Sequence, residues 1–317
     1  MLVNGQWKGK WQPVQNKDEK GHFIRQSSAF RETISPESMA QISKGEHPYK
    51  LYVAYICPWA TRTLIARSLL GLESYIPISV LEPLTADFGW QFGDFPGSTP
   101  AADEQYKYIH QMYIKADDNY TGRATVPILW DIERQIIVNN ESADIVRIFD
   151  QDLRPLHQSS VELYPAHLAQ DIDNFNERIY MSLNNGVYRT GFAVSQAAYD
   201  ESVNAVFACL DELEIHFQQQ KYAVGSQLTE SDIRLFVTLS RFDVAYHGLF
   251  KANIKMLKEY ENLSAYMERL LQIEAFSKNT HIDHIKAGYY SIKALNPTTI
   301  VPKGPQLDWF KYLESNV

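Results

Sequence analysis

The chain has 317 residues, of which 45% are hydrophobic and 21% charged, so it is long enough for two globular domains and is not expected to be disordered. Its net charge of −8 argues against nucleic-acid binding, and no apolar run approaches the ~20 residues that span a bilayer. The first residues lack the apolar stretch of a signal peptide and the chain has only two cysteines, so a reducing, cytoplasmic compartment is expected.

Residues 1–48 are polar and are interrupted by glycines and prolines, without the periodicity of a helix or a strand. They are therefore expected to form an extended N-terminal arm. The first clear element follows the arm, because the apolar run Leu51–Ala54 lies within a strand predicted over residues 50–56.

A helix and a second strand are predicted next. Pro58 is suited to the first turn of a helix, the helical pattern continues to Leu70, and Gly71 is suited to end it. Ile76–Leu81 predicts the second strand. Together these elements form a βαβ unit, in which the two strands are expected to pair in parallel.

Residues 82 to about 122 break this regular order. Glycines and prolines recur there, and Trp90, Phe92 and Phe95 lie among them. A long loop or an insertion is therefore predicted, and long loops within compact domains are often functional.

Two further strands and a helix complete the first domain. Val126–Trp130 and Gln135–Val138 predict a β-hairpin, and a helix is predicted from Asn140 to about Phe149. The order βαβ followed by ββα is the thioredoxin-like arrangement that glutathione-binding domains use. Residues 49–150 are therefore expected to form an α/β thioredoxin-like domain.

The second half of the chain is predicted to be all-helical. Residues 151–160 are expected to be a linker, 161–296 an all-α domain, and 297–317 an extended tail. A capping box at Thr229–Asp232 predicts one helix start. Apolar residues recur at helical spacing over 163–184, 196–220, 230–247, 260–272 and 276–290.

Cys57 is the strongest candidate for chemistry, because it lies where the first strand is predicted to meet the first helix. A helix N-terminus favours a thiolate, whereas an ordinary thiol with a pKa of about 8.5 is mostly protonated at neutral pH. The alternative is a buried structural cysteine. Ala60 stands where a dithiol motif has its second cysteine, and Cys209 is far away in a helical stretch. A disulfide formed on Cys57 would therefore need a small soluble thiol, for which glutathione is the obvious candidate.

Two motifs after the insertion could bind such a peptide-like thiol. A cis bond between Val126 and Pro127 would leave the Val126 backbone available to the ligand. Glu141 and Ser142 open a predicted helix, where the ammonium and carboxylate groups of a γ-glutamyl end could both be held. A plain helix cap is the alternative for this pair.

Other candidates are weaker. Arg123 could pair with a ligand carboxylate, with a solvated loop arginine as the alternative, and Trp90 could lie against a bound ligand. His281 and His284 have a spacing that a metal site could use, but no matching group of ligands accompanies them, so no metal is expected.

Tyr188, Tyr246 and Tyr289 lie in helical parts of the second half. The alternative for each is an ordinary core or surface aromatic, because the chain has 19 tyrosines. Sequence alone does not bring these three residues to Cys57.

Taken together, the motifs resemble those of the glutathionyl-hydroquinone reductases, also called Xi-class glutathione transferases. The likeness covers nearly the whole chain. Its matching stretches are Cys57–Ala60, Gly89–Phe92, Gly122–Pro127, Asn140–Ser142, Asn184–Tyr188, Gly191–Ala193, Arg234–Phe236, Arg241–Asp243, His284–Lys286, Tyr289–Tyr290, Asn296–Pro297 and Ile300–Pro302.

The resemblance implies a glutathione-transferase fold and a homodimer that reduces glutathionyl-hydroquinones with glutathione as co-substrate. Cys57 would be the nucleophile and Tyr188 the proton donor or acceptor, while Tyr246 and Tyr289 would help to lower the pKa of Cys57. The implied glutathione ligands are Trp90, Arg123, Val126, Glu141 and Ser142.

Two departures from the family pattern and two rival functions remain. Thr61 stands where the family usually has His, and Ile292 replaces a common His, which bears on substrate range. The rivals are an Omega-like thiol transferase or dehydroascorbate reductase, which would not need the tyrosines, and a non-enzymatic interaction module.

Overall fold

The structure is a computed structural model that describes residues 1–9, 17–46, 48–85 and 87–313. The chain divides into two compact units. One takes in Met1–Trp11 and Gln26–Val161, and the other takes in Gln12–Arg25 and Glu162–Val317. Each unit has its own core.

The first unit is built on a four-stranded mixed sheet. Its strands are β3 (Tyr49–Val53), β4 (Ile78–Val80), β5 (Ile128–Asp131) and β6 (Ile136–Asn139), in the order β4-β3-β5-β6. β3 pairs in parallel with β4, whereas the β3–β5 and β5–β6 pairs are antiparallel. The predicted thioredoxin-like arrangement of βαβ followed by ββα is confirmed.

Helix α2 (Pro58–Leu69) connects β3 to β4 and forms where the sequence predicts it. Pro58 occupies its first turn, where a missing N–H costs nothing, and Cys57 precedes it in an extended conformation. Gly71 follows with a φ of +69°, a left-handed conformation that side chains disfavour. A Cβ there would also lie 2.9 Å from Gln158, so glycine is required for this close approach.

The predicted insertion contains regular structure. It holds α3 (Ile109–Ala116) and a short 3-10 turn at Ala101–Asp103. Glu104 is buried beside the sheet, where its carboxylate pairs with the Lys50 ammonium at 2.6 Å. The insertion is therefore fixed to strand β3 by an ion pair.

The first residues of the chain also contain regular structure, within the range for which an extended arm is expected. β1 (Leu2–Val3) pairs with β2 (Gln6–Trp7), and α1 spans Pro36–Ser43. Residues 30–32 run along β6, since the Glu32 N–H donates to the Val138 carbonyl at 2.9 Å. They cover the edge of the sheet, which would otherwise expose unpaired backbone groups.

The first unit closes with α4 (Ser142–Arg147), which continues as a π-helical turn over Ile148–Asp152.

The second unit is helical, as predicted. Its helices are α5 (Ala169–Ile179), α6 (Gly186–Gly191), α7 (Gln196–Gln219), α8 (Glu230–Arg241), α9 (Glu261–Leu271), α10 (Glu274–Ser277) and α11 (Ile282–Tyr290).

The predicted capping box at the start of α8 is present. The buried Asp232 carboxylate accepts the Thr229 and Ala223 backbone N–H groups, both at 2.8 Å, and the Tyr266 hydroxyl at 2.8 Å. Burial raises the pKa of Asp232 to about 6 even though these hydrogen bonds oppose the rise.

No helix among the described residues is long and apolar enough to cross a bilayer.

Candidate active site

Cys57 lies at the N-terminus of α2 with its side chain half-buried. Its backbone carbonyl accepts the Thr61 N–H and the Thr61 hydroxyl, both at 3.0 Å. Thr61 thus fixes the first helical turn against the cysteine. The thiol itself points towards the loop before β5, because Cys57 Sγ lies 3.6 Å from the Val126 carbonyl oxygen.

Val126 is buried and precedes Pro127 through a cis peptide bond, as the sequence interpretation proposed. The Val126 carbonyl is the acceptor for the Cys57 thiol. The structure therefore brings together two of the predicted site residues that are 69 positions apart in the chain.

Tyr113 on α3 links this loop to the start of α4. Its hydroxyl donates to the Thr125 carbonyl at 3.0 Å and accepts the Asn140 side-chain N–H at 2.9 Å. The Thr125 backbone N–H donates back to it at 3.1 Å. Because burial raises the pKa of Tyr113, this hydroxyl keeps its proton and can make all three bonds.

Glu141 and Ser142 lie at the N-terminal end of α4, one residue beyond Asn140. Glu141 caps the helix, because its carboxylate accepts the Ala143 N–H at 3.2 Å. The Ser142 hydroxyl donates to Glu141 at 3.4 Å, and the Ser28 hydroxyl donates to its other oxygen at 2.9 Å. A carboxylate held in this way can accept an ammonium group, while nearby hydroxyls and N–H groups can face an anion.

Arg123 is half-buried in the loop that leads to Val126. Its backbone N–H donates to the Gln26 side-chain oxygen at 3.1 Å, and its backbone carbonyl accepts the Tyr120 hydroxyl at 3.0 Å. Its positive charge acts on the Met1 amine, where it adds to the effect of burial in lowering the pKa. The Arg123 backbone is therefore held in place, and its side chain brings a positive charge to this loop.

Trp90 lies in the insertion, half-buried, and its carbonyl accepts the Ile109 N–H at 3.0 Å. Gly89 before it has a φ of +83°, and the Trp7 ring occupies the space beside its Cα. The tryptophan is thus held between the turn at Gly89 and the first turn of α3.

All six predicted residues lie in the first unit, where the structure brings Cys57 to Val126 and Ser142 to Glu141. We call these six candidates the thiol site, and they are Cys57, Trp90, Arg123, Val126, Glu141 and Ser142. Sequence reasoning missed two of its supports, Tyr113 and Ser28. Tyr113 is one aromatic residue among many, and its three hydrogen bonds depend on how α3 packs. Ser28 lies in the polar N-terminal region, where no local pattern indicates a contact with Glu141.

The three predicted tyrosines meet in the second unit and form a chain of hydroxyl groups. The hydroxyl oxygens of Tyr188 and Tyr289 are 2.6 Å apart, and those of Tyr246 and Tyr289 are 2.9 Å apart. Phe250 packs edge-on against the Tyr188 ring, with 5.5 Å between the ring centroids. We call Tyr188, Tyr246 and Tyr289 the tyrosine cluster.

Different elements supply the cluster. Tyr188 is on α6, Tyr289 is on α11, and Tyr246 ends the π-helical turn Phe242–Tyr246 that follows α8. Such π-helical turns are rare in proteins overall, and those that occur are often found at functional sites. The extra residue in this turn is not visible in the apolar pattern.

The members of the cluster differ in exposure. Tyr246 and Tyr289 are buried, and burial raises the pKa of both well above the ordinary value, partly offset by the Arg241 cation. Tyr188 is half-buried. Tyr188 therefore ends a chain of neutral donors at the position that is most open to a substrate.

The remaining reactive side chains do not form a further centre in the described part of the chain. Cys209 is buried in α7, and burial raises the pKa of its thiol. Neither cysteine is in a disulfide. Among the described residues, no group of three or more His, Cys, Asp or Glu side chains could hold a metal ion.

Comparisons with known proteins match both units. The family model described as the glutathione S-transferase N-terminal domain matches residues 56–152, and that of the glutathione S-transferase C-terminal domain matches residues 196–269.

Similar proteins align over nearly the full length. The chain is 42% identical to glutathionyl-hydroquinone reductase YqjG of Escherichia coli, covering 97% of this chain and 95% of that protein. It is 41% identical to glutathionyl-hydroquinone reductase PcpF of Sphingobium chlorophenolicum, covering 96% of each. It is also 42% identical to glutathione S-transferase omega-like 2 of Schizosaccharomyces pombe, covering 90% of this chain and 94% of that protein.

Solved structures agree with these similarities. The glutathione S-transferase Xi from Phanerochaete chrysosporium has a TM-score of 0.86 and 40% identity, covering 92% of this chain and 95% of that one. The glutathione-bound structure of YqjG has a TM-score of 0.82 and 39% identity, covering 97% and 96% of the two chains.

Proposed function

Because the chain belongs to the glutathione S-transferase family, and within it to the glutathionyl-hydroquinone reductases of the Xi class, we propose that it reduces glutathionyl-hydroquinones to hydroquinones with glutathione. The observation that carries the proposal is a single accessible thiol at a helix N-terminus, in a motif without a second cysteine. Such a thiol can accept glutathione from a substrate, but it needs another thiol to be released.

The first step is a proton transfer, because direct attack on the substrate sulfur would expel an unstable aryl carbanion. Tyr188 donates its hydroxyl proton to the ring carbon that bears the sulfur, and the neighbouring ring hydroxyl becomes a carbonyl as it loses its own proton. The substrate is then a keto tautomer, whose carbon–sulfur bond can break to give an enolate.

The second step transfers glutathione to the protein. The Cys57 thiolate attacks the glutathionyl sulfur and forms a disulfide, while the electron pair of the carbon–sulfur bond passes into the ring. The resulting enolate oxygen takes up one proton from the solvent and gives the hydroquinone, and ionisation of the second glutathione thiol in the next step returns that proton. The position of Cys57 at the start of α2 supports this role, since the N-terminal N–H groups and the helix dipole stabilise the thiolate.

The third step restores the enzyme. A second glutathione, as its thiolate, attacks the glutathionyl sulfur of the Cys57 mixed disulfide, which releases oxidised glutathione and the Cys57 thiolate. The net reaction consumes one glutathionyl-hydroquinone and one glutathione. It yields one hydroquinone and one oxidised glutathione.

We assign the binding of glutathione to the other residues of the thiol site. The Val126 backbone pairs with the peptide part of glutathione, and Glu141 and Ser142 hold the ammonium and carboxylate groups of its γ-glutamyl end. Arg123 pairs with a carboxylate and Trp90 packs against the bound tripeptide. The fixed positions of Arg123, Val126 and Glu141 within the first unit support this assignment.

We assign to Tyr246 and Tyr289 the support of the proton donor and a contribution to a lowered pKa of Cys57. Both hydroxyls stay protonated, so a hydrogen bond donated by Tyr289 can stabilise the Tyr188 oxygen after it has lost its proton. On the family resemblance, we further propose a homodimer that acts in the cytoplasm.

An Omega-like thiol transferase is the second candidate, favoured by the similarity to the omega-like protein of Schizosaccharomyces pombe. That activity needs Cys57 and a glutathione site but no proton donor. The hydrogen-bonded chain formed by Tyr188, Tyr289 and Tyr246 favours the reductase.

Incubation with glutathionyl-menadiol and glutathione tests the proposal. Free menadiol and oxidised glutathione should appear in equal amounts, and Cys57→Ala should abolish both. Cys209→Ala is the matched control, because this buried thiol has no assigned role, and it should keep full activity. The proposal fails if the wild-type protein leaves the thioether intact, or if Cys57→Ala still cleaves it.

A further inference from the structure

Residues 17–25 belong to the second unit, although they precede the four-stranded sheet of the first unit in sequence. They form a turn held by the Asp18 carboxylate, which accepts the Lys20 N–H at 3.0 Å and the His22 N–H at 2.8 Å. Lys17 and Phe23 face each other as a β-bridge across this turn. We call residues 17–25 the N-terminal turn.

The N-terminal turn is attached to the loop before α7. The Val194 N–H donates to the Gly21 carbonyl at 3.2 Å, and the Ser195 hydroxyl donates to the Lys20 carbonyl at 2.8 Å. Gly21 has a φ of +93°, and a Cβ there would lie 3.1 Å from both the Ser195 hydroxyl and a Val194 methyl group. The close approach therefore depends on glycine.

Polar and aromatic contacts strengthen the attachment. The buried His22 ring lies between the Asp18 carboxylate, at 2.9 Å, and the Glu201 carboxylate on α7, at 3.2 Å. The other Glu201 oxygen pairs with Arg189 at 3.2 Å. The Phe23 ring packs on Phe192, with 5.6 Å between centroids.

The turn ends at Arg25, whose guanidinium lies against Tyr188. The Arg25 Cζ atom is 4.9 Å from the centroid of the Tyr188 ring. The Arg25 Nε–H group donates to the Asn185 side-chain oxygen at 3.0 Å, and the Asn185 carbonyl accepts the Tyr188 N–H at 3.1 Å. Asn185 therefore fixes the cation and the tyrosine relative to each other.

A cation in this position acts most strongly on an ionised tyrosine. A guanidinium is attracted to the face of a neutral phenol, and the attraction increases when the ring carries a negative charge. The Tyr188 hydroxyl also contacts the Tyr289 hydroxyl, which in turn contacts the Tyr246 hydroxyl. The Arg241 charge acts to lower the pKa of Tyr246 and of Tyr289, against the effect of burial. Arg189, the next residue along α6, is paired with Glu201.

We propose that Arg25 is a positioning residue that holds the Tyr188 ring and stabilises its phenolate after Tyr188 has given its proton to the substrate carbon. This inference rests on the proposed function. When the neighbouring hydroxyl of the substrate becomes a carbonyl, its proton passes to the Tyr188 oxygen, so the tautomerisation consumes no other acid. The N-terminal turn is then part of the catalytic apparatus of the second unit.

The test compares Arg25→Met with the wild type in two reactions. Cleavage of glutathionyl-menadiol should slow by about tenfold, which is the size expected for a cation at an aromatic ring. The alkaline fall in the cleavage rate should move upward by about one pH unit, since the phenolate loses its stabilising charge. Reduction of the mixed disulfide of hydroxyethanethiol and glutathione needs no proton on carbon, so its rate should not change.

Two variants separate charge from structure. Arg25→Lys keeps the positive charge without the guanidinium plane. Its cleavage rate should therefore lie between those of Arg25→Met and the wild type, and its alkaline fall should lie close to the wild-type pH. Arg178→Met is the matched control, because Arg178 also lies over an aromatic ring, at 5.3 Å from Phe175, and has no assigned role. It should leave both reactions unchanged.

The proposed role is wrong if Arg25→Met cleaves the thioether at the wild-type rate, slows both reactions equally, or lowers the cleavage rate without the alkaline shift. A wild-type protein that reduces the mixed disulfide but leaves the thioether intact would overturn the proposed function as well. That outcome is read on the wild type alone and is therefore distinguishable from a failure of Arg25.

Discussion

The thiol site and the tyrosine cluster differ in the form that each is suited to hold, an anion in our proposal for the first and neutral hydroxyls in the second. At the thiol site, we propose that the helix N-terminus favours the Cys57 thiolate and that Arg123 pairs with a ligand carboxylate. In the tyrosine cluster, burial keeps Tyr246 and Tyr289 neutral, and their hydroxyls form a chain that ends at the more exposed Tyr188. A nucleophile and an acid can thus both be ready at the same pH.

The comparison also explains why one cysteine is sufficient. The thiol site can accept glutathione, but breaking a carbon–sulfur bond to an aromatic ring requires a proton on carbon as well. A simple mixed disulfide requires no such proton, because its leaving group is a thiolate. Substitutions in the two regions should therefore have different effects on the two substrates.

The largest difference is expected for Tyr188→Phe. This variant keeps the ring but loses the hydroxyl that donates the proton, so cleavage of glutathionyl-menadiol should fall by about a hundredfold. Reduction of the hydroxyethyl mixed disulfide should stay within about twofold, and parallel initial-rate measurements compare the two.

Tyr199→Phe is the matched control for Tyr188, because its hydroxyl bonds the Lys251 carbonyl and has no assigned role, so the variant should leave both rates unchanged. Equal losses on the two substrates in Tyr188→Phe would remove Tyr188 from the proton transfer.

A smaller effect is expected for Tyr113→Phe, which tests the support of the thiol site. The variant leaves Thr125 and Asn140 without their shared partner, so the KM for glutathione should rise by about tenfold with a lesser change in kcat. Both reactions should be affected alike, because both bind glutathione at the same place.

Tyr52→Phe removes one hydroxyl from another buried tyrosine of the first unit, where the partner is Glu104. It should leave the KM for glutathione unchanged. If both variants change the KM equally, the effect of Tyr113 is a general loss of stability.

The smallest effect concerns alkaline stability. Burial raises the pKa of Tyr246 above the ordinary value of 10.0, so the folded state holds this proton more tightly than the unfolded state does. Its contribution to the free energy of unfolding is fully present below pH 10 and is lost as the pH rises towards the pKa of the folded state.

Tyr246→Phe should therefore show a shallower fall in the free energy of unfolding above about pH 10, measured by urea denaturation across pH. An unchanged slope would show that Tyr246 titrates in the folded protein as it does in the unfolded chain.

The two regions also differed in how far the sequence predicted them. Cys57, Val126 and Glu141 lie at the starts of elements, where local residue types such as Pro58 indicate the junction. The order of strands and helices along the chain followed from the same local pattern. The contact of Cys57 with Val126 required only that the strands pair as a thioredoxin-like order implies.

The local sequence pattern could not predict that the three residues of the tyrosine cluster lie together. Tyr188, Tyr246 and Tyr289 come from three helical elements, and a π-helical turn sets the direction of one of them. The resemblance to a family selected these three from 19 tyrosines. No feature of the sequence predicted the contact of Arg25 with Tyr188, because Arg25 lies in a polar segment. It contacts Tyr188 only once residues 17–25 have packed into the second unit.

Intact-mass measurement of a single turnover tests the central claim most directly. Wild-type protein mixed with glutathionyl-menadiol, without free glutathione, should release one menadiol per active site and gain one glutathione in disulfide linkage. Added glutathione should then remove this mass as oxidised glutathione, and peptide mapping should locate the adduct at Cys57. Release of menadiol without an adduct on Cys57 would contradict the account.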